Sequence, residues 1–386
     1  MNTVEFLRLS SEIVPDRTAI IFEDKRIDFS TLQQRVNKLA DSLSKLGVVP
    51  GDRVSTIQVN CNEHIEAYFA ITSLDAIYVP VNFRVRSEEL EVMLSDSKPK
   101  VIFAGSRYHE LVKEATKNNN DAKLFVSMDD ESQGWINYDD LIRDGESEDR
   151  FTEYDDDDTN IIMYTSGTTG PSKGVLMPQG HCYLFALGTV AAMELTEDDR
   201  YFCCMPLFHA NGLFMQAYAS LLAGSSCHVT KRFSVTDWLS IVREEQITVT
   251  NALGVMPEFI FRSPESPHDR DHKLTRILAI PVAEEWGVAM QDRFGVKLRQ
   301  GFGMTEVNMV TYSDLEDPVM AGCAGPPLSE FFDVIIADPE TDAELSRDNI
   351  GEILVRPKVP FCFNVGYFNM PDKTVEAWRN LSLIHI

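Results

Sequence analysis

Residues 165–174 (TSGTTGPSKG) have the side chains needed to hold a phosphate group. They include three glycines, five hydroxyl side chains and one lysine, Lys173. Glycines let backbone N–H groups turn toward an anion, hydroxyls donate further hydrogen bonds, and the lysine supplies a positive charge. The apolar residues 161–164 before them are predicted to form a short strand that leads into this loop.

Two common nucleotide-binding patterns do not fit the chain. A Walker A loop needs glycine where Ser172 stands and Ser or Thr where Gly174 stands. The pair Gly301 and Gly303 is followed by Glu306 where a dinucleotide fingerprint needs a third glycine. On composition alone, residues 165–174 form either a phosphate-binding loop or an ordinary loop rich in Gly, Ser and Thr.

The longer string of residues 164–175 (YTSGTTGPSKGV) resembles the phosphate-loop signature of the adenylate-forming superfamily. This superfamily includes acyl-CoA synthetases, peptide-synthetase adenylation domains and luciferases. Further segments resemble its other motifs, in the same order: PLFHANG (206–212), QGFGMTE (300–306), GCAGP (322–326), GEILVRP (351–357) and GYFNMPDKT (366–374). The resemblance therefore covers essentially the whole chain.

The resemblance implies an ATP-dependent carboxylate–CoA ligase. A fatty or other organic acid would attack the α-phosphate of ATP, pyrophosphate would leave, and CoA would capture the acyl group as a thioester. The substrates and cofactors implied are ATP, Mg²⁺ and CoA. Two alternatives stay open: an adenylation domain of the peptide-synthetase type, and a nucleotide-binding paralogue without turnover.

The resemblance also assigns roles to individual residues. Lys173 and the loop would clamp the β- and γ-phosphates, Thr305 would touch the α-phosphate, and Glu306 would bind Mg²⁺. Phe302 would lie against the adenine ring, and His209 would gate or contact the acyl carboxylate. The full set of predicted nucleotide-binding residues is Thr165, Ser166, Gly167, Thr168, Thr169, Gly170, Lys173, Gly301, Phe302, Gly303, Met304 and Thr305. Apolar lining for the acid is available from Phe208, Phe214, Trp286 and Met309.

Local patterns predict an α/β fold. A hairpin is expected over residues 18–29, followed by a helix capped by Ser30 that ends at Gly47. Its apolar residues are Leu32, Val36, Leu39, Leu43 and Leu46. Strands at 54–59, 78–81 and 101–104 alternate with helices at 63–74 and 88–95. This alternation predicts a mostly parallel sheet covered by helices.

The resemblance implies a large AMP-binding N-terminal domain over residues 1–380. We expect two helix-covered sheet subdomains, at about 1–155 and 156–320, and a β-rich part at 321–380 that belongs to a small distorted β-barrel. The family continues with a C-terminal domain that carries a catalytic lysine, which we expect to be absent here. Residues 381–386 match nothing in the family and are expected to be a non-native tail. The fragment alone is expected to be nearly inactive.

Composition narrows the partners and the location. Acidic residues exceed basic ones enough to give a net charge of −25, which disfavours nucleic acid and anionic lipid as main partners. Residues 201–230 carry no charged side chain, but Pro206, His209 and Asn211 interrupt them, which favours a buried strand, loop and helix over a membrane span. Seven cysteines without a C-x-x-C pair indicate reduced thiols and a cytoplasmic protein. The oligomeric state is left open.

Overall fold

The computed structural model describes residues 3–118, 122–148, 155–165, 172–379 and 382–385. Helices and strands alternate over the first half of the chain. In chain order they are α1 (Thr3–Ile13), β1 (Thr18–Phe22), β2 (Lys25–Asp28), α2 (Phe29–Lys45), β3 (Arg53–Ile57), α3 (Asn62–Thr72), β4 (Ile77–Pro80), α4 (Ser87–Ser97), β5 (Val101–Ala104), α5 (His109–Thr116), β6 (Leu124–Ser127), β7 (Ile136–Asn137), α6 (Tyr138–Asp144), β8 (Thr159–Thr165) and β9 (Lys173–Pro178).

The second half begins with the same alternation and ends in short strands. Its elements are α7 (Gln179–Ala192), β10 (Arg200–Cys203), a π-helical segment (Asn211–Tyr218), α8 (Ala219–Leu222), β11 (Ser226–Val229), α9 (Val235–Glu244), β12 (Val249–Leu253), α10 (Met256–Phe261), β13 (Arg276–Ile280), α11 (Gly287–Phe294), β14 (Lys297–Arg299), β15 (Gly301–Met304), β16 (Asn308–Tyr312), β17 (Phe332–Ala337), β18 (Glu352–Pro357), α12 (Pro371–Ala377), β19 (Trp378–Arg379) and β20 (Ser382–His385).

Two seven-stranded sheets form the α/β part, which confirms the predicted fold class. The first has the order β7-β6-β5-β3-β4-β8-β9, and the second β14-β13-β12-β10-β11-β1-β2. Each sheet is parallel except for one antiparallel edge strand, β9 in the first and β2 in the second. Central strands such as β5 are buried along their whole length, as expected for parallel strands covered on both faces.

Each sheet contains strands from both sides of the division expected near residue 155. The hairpin β1–β2 joins the second sheet through β11, and β8–β9 joins the first sheet through β4. Buried side chains of α1, α2, α3 and α7 contribute to one continuous apolar core with residues of both sheets. Sheet membership therefore does not follow the order of the chain.

The N-cap of helix α2 differs from the predicted one. Its N-cap is Asp28, whose carboxylate accepts a hydrogen bond from the Thr31 N–H at 2.6 Å, and Ser30 lies within the first turn. Both residue types are good N-caps, and the extended backbone of Asp28 at the end of β2 decides between them. Of the predicted apolar positions, Leu32, Val36, Leu39 and Leu43 are buried, whereas Leu46 is the partly buried C-cap residue.

The C-terminal strands form a smaller antiparallel sheet with the order β17-β18-β20-β19. Within the described residues this sheet is open, and closure into a barrel is not seen. Strand β20, in the segment expected to be non-native, pairs with β18 through Leu354 and Ile384. No helix of the described ranges combines the length and apolar character needed to cross a membrane.

Candidate active site

The antiparallel hairpin β8–β9 flanks the predicted phosphate loop. Thr165 and Lys173 are paired at its open end, where the Thr165 hydroxyl lies 3.5 Å from the Lys173 carbonyl oxygen. The predicted residues Ser166, Gly167, Thr168, Thr169 and Gly170 lie outside the described residues. The hairpin therefore fixes where this loop leaves and re-enters the first sheet.

A second hairpin, β15–β16, contains the predicted adenine motif. Gly301 is buried, whereas Phe302 and Met304 are half-buried and pack against an apolar cluster that includes Leu184 and Phe332. A Cβ on Gly303 would lie 2.4 Å from the Asn308 carbonyl oxygen, so only glycine allows this close approach of the strands. The strand pairing thus accounts for part of the motif without any ligand.

The turn after β15 carries Thr305 and Glu306, which are both buried. The backbone of this turn is held from two sides. From α7, the Nε2 atom of His181 lies 2.8 Å from the Thr305 carbonyl oxygen. From the C-terminal segment, Asn364 donates its backbone N–H and its side-chain amide to the Glu306 carbonyl oxygen, at 3.2 and 2.7 Å.

His181 joins this turn to the C-terminal segment. Its Nδ1 atom lies 2.7 Å from the Cys362 carbonyl oxygen, so carbonyl groups face both ring nitrogens. Burial lowers the pKa of His181 to about 4, and the neutral ring carries a single N–H. The imidazole therefore donates to one of the two carbonyl groups at a time.

Glu306 and Lys173 are linked through Tyr367, a residue that the sequence motifs contained but did not single out. The Tyr367 hydroxyl donates to the Glu306 Oε1 atom at 3.1 Å. The Lys173 Nζ atom lies 4.5 Å from the centroid of the Tyr367 ring. Burial and the adjacent Glu306 carboxylate raise the pKa of Tyr367, so its hydroxyl stays protonated and donates.

Residues 365–368 hold Tyr367 in place by extending the first sheet beyond β9. The Val365 N–H donates to the Leu176 carbonyl oxygen, the Leu176 N–H to Gly366, and the Phe368 N–H to Gly174, at 2.7 to 2.9 Å. Tyr367 therefore reaches the site from a strand-like segment. Neither the strand periodicity nor the glycine-rich motif predicts its contacts with Glu306 and Lys173.

The carboxylate of Glu306 is a suitable ligand for a magnesium ion that arrives with a nucleotide. The second carboxylate oxygen of Glu306 has no hydrogen-bond donor among the described residues. Within those residues there is also no cluster of three His, Cys, Asp or Glu side chains that could hold a metal ion by itself. One carboxylate is sufficient for Mg²⁺, which is commonly held by one or two carboxylates together with substrate phosphates.

His209 lies on the loop between β10 and the π-helical segment. Asn60 anchors this loop, because its side-chain amide donates to the Met205 carbonyl oxygen at 2.8 Å and its oxygen accepts from the Leu207 N–H at 2.8 Å. The His209 ring reaches solvent, but the surrounding protein lowers its pKa by desolvation, so the imidazole is neutral at pH 7. No hydrogen bond or ion pair in the described part of the chain connects it to Lys173 or Glu306.

The burial of the predicted lining residues corrects the expected apolar pocket. Phe208 is half-buried and meets Phe83 edge-on, with 5.5 Å between the ring centroids. In contrast, Phe214 is fully buried against Phe185 in the main core, and Trp286 is buried in the core of the second sheet. Both side chains stabilise the fold, so they do not line an accessible pocket.

Comparison with known proteins places the chain among enzymes. Indoleacetate–CoA ligase from Aromatoleum aromaticum (strain DSM 19018 / LMG 30748 / EbN1) is 29% identical over 361 residues, which span 92% of this chain and 70% of that protein. Crotonobetaine/carnitine–CoA ligase from Salmonella heidelberg (strain SL476) is 26% identical over 381 residues, spanning 96% of this chain and 74% of that protein.

The solved structures agree with the sequence relatives. A protein described as a long-chain-fatty-acid CoA ligase from Rhodopseudomonas palustris CGA009 superimposes with a TM-score of 0.89 at 26% identity. The match covers 100% of this chain and 94% of that chain. The family model for AMP-binding enzymes matches residues 8–361, so the chain belongs to the AMP-binding enzyme family.

Proposed function

We propose that the protein activates a carboxylic acid with ATP and transfers the acyl group to CoA. The observation that carries this proposal is the Lys173–Tyr367–Glu306 arrangement beside the hairpin that flanks residues 166–171. It brings a cation for phosphate and a carboxylate for a metal ion to one place. The two relatives compared by sequence are both acid–CoA ligases, which supports this reaction over other uses of ATP.

In the first step, a carboxylate oxygen of the acid attacks the α-phosphorus of ATP. A new O–P bond forms, the bond between the α-phosphorus and the bridging oxygen breaks, and pyrophosphate leaves. Both reactants are anions, so the barrier is mainly repulsion and positioning. Lys173 and residues 165–170 would hold the β- and γ-phosphates, and the Thr305 side chain would contact the α-phosphate.

Glu306 would bind Mg²⁺ through the carboxylate oxygen that Tyr367 does not occupy. When bound, the ion neutralises phosphate charge and so helps pyrophosphate to leave. Phe302 and Met304 would border the adenine ring, and the glycines at 301 and 303 would let the nucleotide approach the backbone. The neutral imidazole of His209 would donate a hydrogen bond to the acid.

In the second step, the sulfur of CoA attacks the acyl carbonyl carbon. A C–S bond forms, the acyl–phosphate bond breaks, AMP leaves, and the thiol proton passes to solvent. The relatives act on acids as different as indoleacetate and crotonobetaine, so the acid for this chain is assigned only as a carboxylic acid that contacts the Phe208–Phe83 region. The seven unpaired cysteines support a cytoplasmic location.

Acid-dependent exchange of labelled pyrophosphate into ATP tests the first step. We expect exchange with at least one member of a panel of carboxylic acids of graded length, and acyl-CoA formation when CoA is added, both measured at stoichiometric concentrations of the chain because its turnover is expected to be slow. Exchange without any transfer to CoA would instead support a carrier-protein thiol as acceptor. Nucleotide binding without exchange for any acid would contradict the proposal.

A further inference from the structure

Tyr367 contacts two side chains of opposite charge that belong to different parts of the fold. Lys173 begins β9, Glu306 follows β15, and Tyr367 comes from the C-terminal segment. Within the described residues, no carboxylate oxygen is within ion-pair distance of Lys173, although the ring that it faces is hydrogen-bonded to Glu306. The tyrosine thus contacts both charged side chains, Lys173 over the face of its ring and Glu306 at its hydroxyl.

The position of Tyr367 is fixed by its backbone. Its N–H donates to the Thr374 hydroxyl at 2.9 Å, and the residue forms a bridge to Val175 of β9. The preceding Gly366 has a φ of 125°, and a Cβ added there would meet the Thr374 side chain at about 3 Å, so this backbone conformation requires glycine. The ring is therefore held by the sheet edge and does not depend on Lys173 or Glu306 for its place.

Without this ring, Lys173 and Glu306 would attract each other. A direct ion pair would use the ammonium group needed for phosphate and the oxygen needed for the metal ion. Mg·ATP would then have to break that pair before it could bind. The cation–π contact with Tyr367 is weaker than an ion pair, so it holds Lys173 without competing strongly with phosphate.

We propose that Tyr367 is a positioning residue that keeps Lys173 and Glu306 apart and ready for Mg·ATP. Its ring prevents the two side chains from pairing with each other. Its hydroxyl fixes one oxygen of Glu306, so that the other oxygen is presented to Mg²⁺. This inference rests on the proposed function, because it takes the ligand of the site to be a magnesium–nucleotide complex.

Two substitutions separate the ring from the hydroxyl. In Y367F the ring still holds Lys173, but Glu306 loses its donor. We expect ATP binding without Mg²⁺ to equal the wild type, and the gain in ATP affinity on adding Mg²⁺ to fall by about tenfold, the typical effect of losing one hydrogen bond to a charged group. In Y367L the pair can form, so ATP binding without Mg²⁺ should fall as well.

A double variant tests the pairing itself. In Y367L/E306Q the carboxylate is gone, so Lys173 is released and metal-free ATP binding should return to the wild-type level. If Tyr367 had a purely structural role, the effects of the two substitutions would add, and Y367L/E306Q would bind metal-free ATP more weakly than Y367L. Y78F, at a buried tyrosine of β4 that contacts neither Lys173 nor Glu306, is the matched control and should bind like the wild type.

Isothermal titration calorimetry of the 386-residue chain with ATP, with and without Mg²⁺, gives all these values, and circular dichroism checks the fold of each variant. The inference would be overturned if the gain in ATP affinity on adding Mg²⁺ were the same in Y367F as in the wild type. It would also be overturned if Y367L/E306Q bound metal-free ATP no better than Y367L. Either result would leave the proposed function intact. Failure of the wild type to bind ATP at all would overturn both.

Discussion

At the scale of single residues, the ammonium group of Lys173 is available to a phosphate group. It is half-buried, it forms no ion pair with the described residues, and its ammonium group faces the ring of Tyr367. Cation–π contacts at such sites are worth only about 0.5–1 kcal/mol, so little is lost when the ammonium group moves to a phosphate. Glu306 differs, because it is buried and held by hydrogen bonds on both its backbone and its side chain.

The variant K173A should therefore lose nucleotide binding without losing stability. We expect ATP affinity to fall at least about tenfold, since hydrogen bonds to charged groups contribute roughly 1.5–3 kcal/mol. The melting temperature should stay close to that of the wild type. K113A provides a control, because Lys113 is an exposed lysine of α5 that pairs with Glu110. Equal ATP affinity in K173A and K113A would remove Lys173 from the site.

At the scale of elements, the site depends on how closely neighbouring strands approach. The turn with Thr305 and Glu306 keeps its shape because β15 and β16 pair through Gly303 and because His181 and Asn364 hold its carbonyl groups. A side chain at position 303 would push against the Asn308 carbonyl oxygen. The resulting displacement of the strands would also move the turn that carries Glu306.

G303A should reduce both stability and ATP binding. Overpacking of this kind costs about 1–3 kcal/mol, and the displaced turn would misplace Glu306. The matched control is G188A within α7, where a new Cβ has nothing within 4 Å. Replacing glycine inside a helix should add roughly 0.5–1 kcal/mol to the free energy of unfolding. Urea unfolding measures both values, and equal effects of the two changes would contradict the close approach seen here.

The sequence predicts single elements better than it predicts their partners. The expected strand at residues 78–81 is found at Ile77–Pro80, and the strand at 101–104 is found where it was expected. Their apolar patterns are local, and burial on both faces enforces them. The pairing of β1 with β11, in contrast, joins residues far apart in the chain, and no local pattern carries that information.

The same limit applies to the candidate site. The phosphate loop, Thr305 and Glu306 could be proposed from motifs because their residue types imply their chemistry. Tyr367 could not, because a tyrosine in an apolar segment is usually a core residue, and its contacts with Glu306 and Lys173 depend on the packing of residues 365–368 against β9. His181 was missed for the same reason.

At the scale of the whole molecule, buried histidines tie stability to pH. His64 and His181 are fully buried and His228 nearly so, and burial lowers their pKa values to about 3, 4 and 4. The unfolded chain binds protons at these residues near pH 6.5, whereas the folded chain does not. The unfolded state therefore binds more protons below pH 6.5, and the free energy of unfolding must decrease as the pH falls.

We expect that decrease to be a few kcal/mol between pH 6.5 and 5, since each such group contributes up to about 1.4 kcal/mol per pH unit. Asp75 acts in the other direction, because burial and the nearby Asp158 raise its pKa to about 6. D75N should therefore make the decrease steeper. Urea unfolding at several pH values checks both expectations. A free energy of unfolding that stays constant or rises over this range would contradict the assignment of neutral, buried histidines.

The central claim is that the acid is joined to the α-phosphate of ATP. The most direct test is to identify the nucleotide formed when the protein is incubated with Mg²⁺, ATP and a panel of carboxylic acids, using mass spectrometry at stoichiometric enzyme. Our account predicts pyrophosphate and a species of the mass of the acyl-adenylate, formed only when a suitable acid is present, with AMP released as CoA or water takes the acyl group. Release of ADP and orthophosphate, or of AMP without dependence on any acid, would contradict it.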